Sequence, residues 1–178
     1  MPISAKSPAE LRGVAAPLGA LVRAALASEG RAAGELGIVL TGDVPVRELN
    51  RRWRGIDRAT DVLSFGYDDA PGRRVNGDLV VSLDRVVAQA RRYRVSRGRE
   101  LARLVIHGAL HLAGLDHQTP SQRTRMRARE TRALRGAAAQ VRALDRALAR
   151  AARGSAGARR SPRIALVPRV ASTRVASS

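Results

Sequence analysis

The three histidines of the chain lie within eleven residues, and this cluster constrains the local fold more than any other feature. His107 and His111 are four residues apart, so on an α-helix their side chains project from one face, one turn apart. Gly114 can adopt the left-handed conformation that ends a helix. The spacing therefore predicts a helix that stops near Gly114 and a turn that returns His117 towards the other two rings.

Such a set of imidazoles indicates a metal site. Three neutral imidazoles suit zinc better than magnesium or calcium, which prefer oxygen ligands, while nickel, copper and iron stay open. The chain has no cysteine, and we expect Asp116 to orient a ligand rather than to bind the ion. Three protein ligands without a fourth are typical of catalytic zinc. The cluster therefore predicts one zinc ion that is used in hydrolysis or a related attack by an activated oxygen.

The residue after the first histidine argues against one class of zinc enzyme. The spacing resembles the pattern H-E-x-x-H-x-x-G-x-x-H of zinc peptidases, in which that glutamate is the general base. Here the position is Gly108, which has no side chain. Proteolysis is therefore disfavoured, and a zinc-dependent hydrolase or peptidase-like enzyme is kept as an alternative.

The charge of the chain indicates a polyanionic partner. It contains 33 basic and 15 acidic residues, a net charge of +18, and Lys6 is the only lysine. Nine of the arginines and one acid follow residue 136, so the preceding part is basic as well. Nucleic acid is the usual partner of such an excess. Aromatic residues make up only 2% of the chain, which favours contacts to phosphates over base stacking.

Hydrophobic periodicity predicts an α/β (α+β) fold, in which a small mixed sheet is packed with helices. The segment Ser7-Pro8-Ala9-Glu10 is typical of a helix start, and the loop 67–75 contains Pro71-Gly72. The predicted helices are 11–26, 46–53, 83–93, 99–113, 121–134 and 137–153, and the predicted strands are 37–41, 61–65 and 78–82.

Composition divides the chain into three parts. Residues 1–136 are predicted to form one domain, 137–153 an extra helix, and 154–178 a disordered basic tail, because the tail is rich in Ser, Gly, Pro, Ala and Arg without periodicity. No apolar run approaches the roughly 20 residues of a membrane span, and the N-terminus lacks a secretory pattern. We therefore expect a cytoplasmic protein that does not associate with a membrane.

Three sequence blocks resemble those of a known family. Residues 107–117 are similar to H-G-x-L-H-L-x-G-x-D-H, the signature of the YbeY endoribonucleases. Residues 49–65 look like the family's L-N-x-x-Y-R-x-x-D-x-P-T-D-V-L-S-F, and 77–82 look like its G-D-I-x-I-S. The blocks occur in the family's order and cover roughly residues 35–135.

The chain differs from the family's pattern at several positions. Trp53 stands where the family has Tyr, and Ala59 where it has Pro, which loosens the turn before the strand. The family's first strand has no clear counterpart in MPISAKSPAE. The family usually ends near residue 136, so the resemblance says nothing of the residues beyond.

The resemblance implies a single-strand-specific, metal-dependent endoribonuclease that acts in 16S rRNA 3′ end maturation and ribosome quality control. It implies a zinc site at a helix end in a basic cleft, and a functional arginine at Arg54, which would bind the scissile phosphate. It also implies small-subunit ribosomal RNA as the partner, with ribosomal proteins or an assembly GTPase as further candidates. Thr60, Asp61 and Asp78 could line the cleft. Alternatively, Thr60 and Asp61 could act as an N-cap or at a strand edge, and Asp78 could stabilise a turn. A non-catalytic ribosome-assembly factor is the second alternative.

Overall fold

The computed structural model describes residues 4–6, 11, 13–67, 73–154 and 173–177. Within them lie five strands and six helices. The strands are β1 Ser4–Lys6, β2 Ala32–Thr41, β3 Val62–Tyr67, β4 Arg74–Ser82 and β5 Thr173–Ser177. The helices are α1 Ala15–Ser28, α2 Asp43–Arg54, α3 Leu83–Tyr93, α4 Arg97–Leu112, α5 Pro120–Arg135 and α6 Ala138–Gly154.

The strands form one mixed sheet in the order β1-β2-β4-β3-β5. β1, β2 and β4 run parallel, whereas β3 is antiparallel to both β4 and β5. The prediction of an α+β fold with a small mixed sheet is confirmed.

Alternate residues of the strands supply two hydrophobic cores, because successive side chains of a strand point to opposite faces. Ile38 and Leu79 belong to the larger core, which contains residues of α1, α4, α5 and α6. Val39 and Val80 belong to the smaller core, together with Val46 of α2. The helix that carries two of the histidines and the helix that ends at Arg54 therefore cover opposite faces of the sheet.

Helix α4 lies at the centre of the larger core. Leu101, Leu104, Val105 and Leu110 are fully buried, and α1, α3, α5 and α6 all pack against this helix. Ser96 caps its first turn by accepting a hydrogen bond from the backbone N–H of Arg99. A helix anchored on so many sides is a rigid support for side chains at its end.

The N-terminal part differs from the prediction in two ways. A first strand is present, since β1 pairs with β2 from Ser4↔Gly37 to Lys6↔Val39. Helix α1 begins at Ala15 rather than at residue 11, because Gly13 adopts a left-handed conformation with φ +88° that interrupts a helix. The predicted start signal at 7–10 lies outside the described residues, as does residue 12.

The C-terminal part also differs from the prediction. Residues 173–177 of the segment predicted to be a disordered tail form β5, which pairs with β3 from Leu63↔Ser177 to Tyr67↔Thr173; residues 155–172 and 178 lie outside the described residues. Helix α6 is part of the larger core, where Leu144 and Ala147 are fully buried. None of the described helices is long and apolar enough to cross a membrane.

Candidate metal centre

The last turns of α4 carry two of the three histidines. The ring centroids of His107 and His111 are 4.6 Å apart, and the two Nε2 atoms lie 3.1 Å from each other. Because the spacing of four residues places both rings on one side of the helix, their ring nitrogens converge on one point.

The turn after α4 brings in the third histidine. Gly114 adopts a left-handed conformation with φ +98°, and its N–H donates to the carbonyl of His111 at 2.9 Å. The ring centroid of His117 then lies 5.4 Å from that of His107 and 4.8 Å from that of His111. One ligand atom from each of the three side chains lies within 4.8 Å of the others. The group could therefore hold one metal ion.

A carboxylate behind His107 fixes the orientation of its ring. Glu130 of α5 lies 2.6 Å from Nδ1 of His107 through its Oε1 atom, and both residues are buried. A carboxylate only accepts hydrogen bonds, so Nδ1 carries the proton and the lone pair of Nε2 faces the other histidines. This arrangement fixes the tautomer of a ligand in known metal sites.

Sequence reasoning missed Glu130, although the chain contains a signal for it. It is the only acidic residue of α5, a helix with six arginines. It also follows the buried Met126 by four residues, so the two lie on the same inward face. A lone carboxylate on the buried face of a basic helix indicates a specific partner.

His111 is held in its neutral form. The pKa of His111 is lowered to about 4, first by burial and then by the neighbouring His107 and His117, while the Leu115 backbone and Asp116 act in the opposite direction. A neutral imidazole retains the lone pair that a metal ion requires. His111 can thus offer its lone pair to a metal at neutral pH.

Asp116 acts on the backbone of a predicted ligand rather than on a ring. Its Oδ1 atom accepts a hydrogen bond from the backbone N–H of His117 at 2.7 Å. This contact holds the turn that presents His117.

Gly108 of α4 packs closely against side chains of the sheet. A Cβ atom at this position would lie 2.8 Å from Cδ2 of Leu79 and 3.1 Å from Oγ of Ser64. A glutamate here would have to displace the side chains of Leu79 and Ser64, which gives a packing reason for the absence of the peptidase base.

Arg54 is the last residue of α2, and Gly55 ends that helix in a left-handed conformation with φ +71°. The side chain is exposed, and its Nη1 donates to Oδ1 of Asn50 at 3.3 Å. A cavity of about 300 Å³ beside His111 is lined by other arginines, Arg31 and Arg74, and Arg54 is not among its lining residues. The structure therefore places a basic cavity at the end of α4, with Arg54 outside its wall.

The remaining candidates hold secondary structure together. Asp61 accepts a hydrogen bond from the Val62 backbone at 2.9 Å and another from Nε2 of Gln89 at 3.0 Å, which joins β3 to α3. Thr60 donates to Asp61 at 3.3 Å. Asp78 accepts from the hydroxyl of Tyr67 at 2.5 Å. Each side chain has a structural partner in the sheet or beside it.

Comparison with known proteins places this site in a family. The family model described as Endoribonuclease YbeY matches residues 10–138, which include the three histidines, Glu130 and Arg54. The chain belongs to the YbeY family. The match ends at the first residue of α6, so most of that helix and all of β5 lie beyond the family's residues.

Relatives named Endoribonuclease YbeY occur in several bacteria. The chain is 47% identical over 120 residues to the relative from Anaeromyxobacter sp. (strain Fw109-5), which covers 67% of this chain and 62% of the relative. It is 51% identical over 106 residues to the relative from Roseiflexus castenholzii, covering 54% of this chain and 65% of the relative. It is 41% identical over 130 residues to the relative from Moorella thermoacetica, covering 67% and 83%. The chain thus spans less than two thirds of the length of the first two.

A solved structure has a similar fold. A protein from Thermotoga maritima, determined in solution, superimposes with a TM-score of 0.56 at 26% identity, covering 79% of this chain and 91% of that chain. The similarity supports the arrangement of sheet and helices described above.

Proposed function

We propose that this chain is a single-strand-specific endoribonuclease that uses zinc and acts in 16S rRNA 3′ end maturation and ribosome quality control. One observation carries the proposal. The three histidines form a group that could hold a metal ion, with a carboxylate behind His107, inside the residues that match the YbeY family.

The donor set fits zinc. Each imidazole offers one nitrogen, His107 is fixed in the required tautomer by Glu130, and His111 is neutral. When bound, zinc supplies a Lewis acid that polarises a phosphate oxygen and activates a water molecule for attack on the phosphodiester. His107, His111 and His117 would hold the ion, while Glu130 keeps the His107 ring in place.

Arg54 is the proposed phosphate-binding residue. Its guanidinium can form paired hydrogen bonds to a phosphate and can stabilise the charge that grows during cleavage. Its position at the exposed end of α2 makes it accessible to a strand of RNA.

The partner is proposed to be small-subunit ribosomal RNA, in the cytoplasm, with ribosomal proteins or an assembly GTPase as protein partners. The net charge of +18 supports binding through the phosphate backbone. Such binding weakens steeply with salt and carries little sequence preference of its own. Selection of the cleavage site would then come from the ribosomal context.

The test compares RNA cleavage by the wild type with His111→Ala and Arg54→Ala, using a single-stranded fragment of small-subunit RNA and the same fragment in a duplex. Arg51→Ala is the matched control, because Arg51 lies on the same helix and is exposed. We expect loss of metal and of cleavage in His111→Ala, a loss of about 100-fold in Arg54→Ala, and little change in the control.

Three other outcomes would contradict the proposal. Wild-type rates in both variants would mean that a contaminating nuclease cuts the RNA. Tight binding of RNA without cleavage by the zinc-loaded protein would favour a non-catalytic assembly factor. Cleavage of a denatured protein substrate would favour a peptidase-like enzyme.

A further inference from the structure

The cavity beside His111 lies at the end of the sheet where β2 and β4 begin and β3 ends. Arg31 directly precedes β2, Arg74 is the first residue of β4, and Tyr67 is the last residue of β3; all three line the cavity. Its volume of about 300 Å³ is at the lower end of the range of small-ligand pockets. The cavity can therefore hold one group of moderate size next to the proposed metal ion.

The lining of the cavity is basic. It contains the two guanidinium groups of Arg31 and Arg74 and no carboxylate among the described lining residues. Arg31 is half-buried and Arg74 is exposed, so both can present positive charge to a ligand that enters the cavity. The composition of this wall favours an anion.

Arg31 supplies a second, independent observation. Its Nε atom is buried and has no hydrogen-bond acceptor among the described residues. Most buried donors in proteins have a partner, and one left without an acceptor is unfavourable. The same side chain lines the cavity, and its planar guanidinium is well suited to a phosphate.

One wall of the cavity comes from outside the family's residues. Ala176 of β5 lines it, and β5 follows the end of the family match at residue 138. The strand lies against β3 and pairs Ala176 with Ser64, and Ala176 lines the cavity together with residues at the end of α4. The C-terminal strand thus helps to shape the space next to His111.

From these observations we propose that the cavity is a phosphate-binding subsite, formed by Arg31 and Arg74, for the nucleotide adjacent to the phosphodiester that is cut. This inference rests on the proposed ribonuclease function. The subsite fixes the strand beside the metal centre. The same chemistry would also accept free phosphate, so the experiment tests both sources.

The first experiment measures the affinity of a single-stranded oligoribonucleotide for the full chain in the presence of a chelator, so that no cleavage occurs. Arg31→Gln and Arg74→Gln are compared with Arg73→Gln, which removes the same charge from the exposed neighbour of Arg74, a residue that does not line the cavity. We expect the affinity for the oligonucleotide to fall about tenfold in each cavity variant and to depend less steeply on salt. In the control, we expect the affinity to fall by less than about threefold, which is half of that loss on a logarithmic scale. Equal losses in all three variants would overturn the subsite in favour of general attraction.

The second experiment titrates inorganic phosphate into the wild type and the same variants and follows backbone amide signals by NMR. We expect shifts at Gly66, Asn76 and Gly114 in the wild type and in Arg73→Gln, and their loss in Arg31→Gln. If these residues respond to the oligonucleotide but not to phosphate, the subsite requires the RNA strand. If neither ligand shifts them, the subsite is overturned.

The two proposals can fail separately. If phosphate shifts these amide signals but the protein neither binds nor cuts RNA, the anion site is supported and the ribonuclease function is rejected. If the protein cuts RNA but all the arginine variants bind the oligonucleotide with equal affinity, the ribonuclease function is supported and the subsite is rejected.

Discussion

A single carboxylate decides which nitrogen of His107 faces the metal centre. Glu130 reaches Nδ1 at 2.6 Å from a different helix, so α5 takes part in the site although it supplies no predicted ligand. Because the tautomer is set before the ion arrives, the protein avoids part of the reorganisation that binding would otherwise require.

Glu130→Gln is predicted to weaken zinc binding by about 10–100-fold, the usual effect of removing such a partner. The amide is neutral and can present either an acceptor or a donor to Nδ1, so the preferred tautomer is no longer enforced. Competition with a chromophoric chelator measures the affinity. Glu29→Gln is the control, because Glu29 forms an ion pair with Arg129, the neighbour of Glu130 on α5, and this ion pair does not involve His107. Equal zinc affinities in the wild type and Glu130→Gln would contradict the assigned role.

The neutral state of His111 predicts an acid-sensitive metal-free protein. The pKa of His111 is lowered from 6.5 to about 4, so the unfolded chain takes up a proton at a higher pH than the folded one. The contribution to stability is therefore fully present above about pH 6.5 and is lost as the pH falls towards 4. Urea unfolding in a chelator at several pH values measures this slope. His111→Gln should give a shallower slope over that window, and an unchanged slope would show that another group is responsible.

At the scale of elements, the contact between α4 and the sheet depends on Gly108. Gly108→Ala is predicted to lower the free energy of unfolding by about 1–3 kcal/mol, the usual effect of overpacking, because the new Cβ would lie 2.8 Å from Leu79. Gly136→Ala is a matched control, since its Cβ would meet nothing closer than 3.7 Å. Denaturant unfolding distinguishes the two. Similar stabilities would mean that α4 can move away from the sheet without loss.

Elements with strong local signals could be predicted from the sequence. The sequence predicts helix α3 at its observed bounds, and α5 begins with a capping box formed by Thr119 and Gln122, with Pro120 in its first turn. These signals lie within a few residues of each other, so they do not depend on distant parts of the chain. The same holds for His107 and His111, whose spacing of four residues is a property of one helix.

Elements that depend on a distant partner could not be predicted. The three residues of β1 carry no alternation, and their strand conformation comes from pairing with β2. β5 likewise pairs with β3 more than a hundred residues earlier in the chain. Glu130 contacts His107 across 23 residues, and the cavity collects Arg31, Arg74 and Ala176 from three strands or their ends.

At the scale of the whole molecule, the last helix belongs to the same core as the helix that carries the histidines. Gly98 of α4 donates its backbone N–H to Asp145 of α6 at 2.7 Å, and Leu144 is fully buried. The family match stops before most of this helix. This chain therefore stabilises the helix that carries His107 and His111 with residues beyond the family match.

Two truncations are predicted to behave differently. A chain that ends at residue 154 keeps α6 and should unfold cooperatively, with its three histidines still able to bind metal. A chain that ends at residue 136 loses α6, exposes apolar residues of α1 and α4, and should be less stable by several kcal/mol, since burial of a single leucine contributes about 1.5–3 kcal/mol. Thermal unfolding and metal content measure both. Equal melting temperatures would show that residues 1–136 are a self-sufficient domain.

The position of β5 also bears on how copies of the chain behave towards one another. Without it, the backbone N–H and C=O groups on the outer side of β3, from Leu63 to Tyr67, would form an unpaired edge. Such an edge is a template for a strand from a second molecule, and it leads to aggregation or strand exchange. By pairing with this edge from within the same chain, the five residues of β5 occupy the place where a strand of a second molecule would add to β3, and the outer side of β5 becomes the edge of the described sheet.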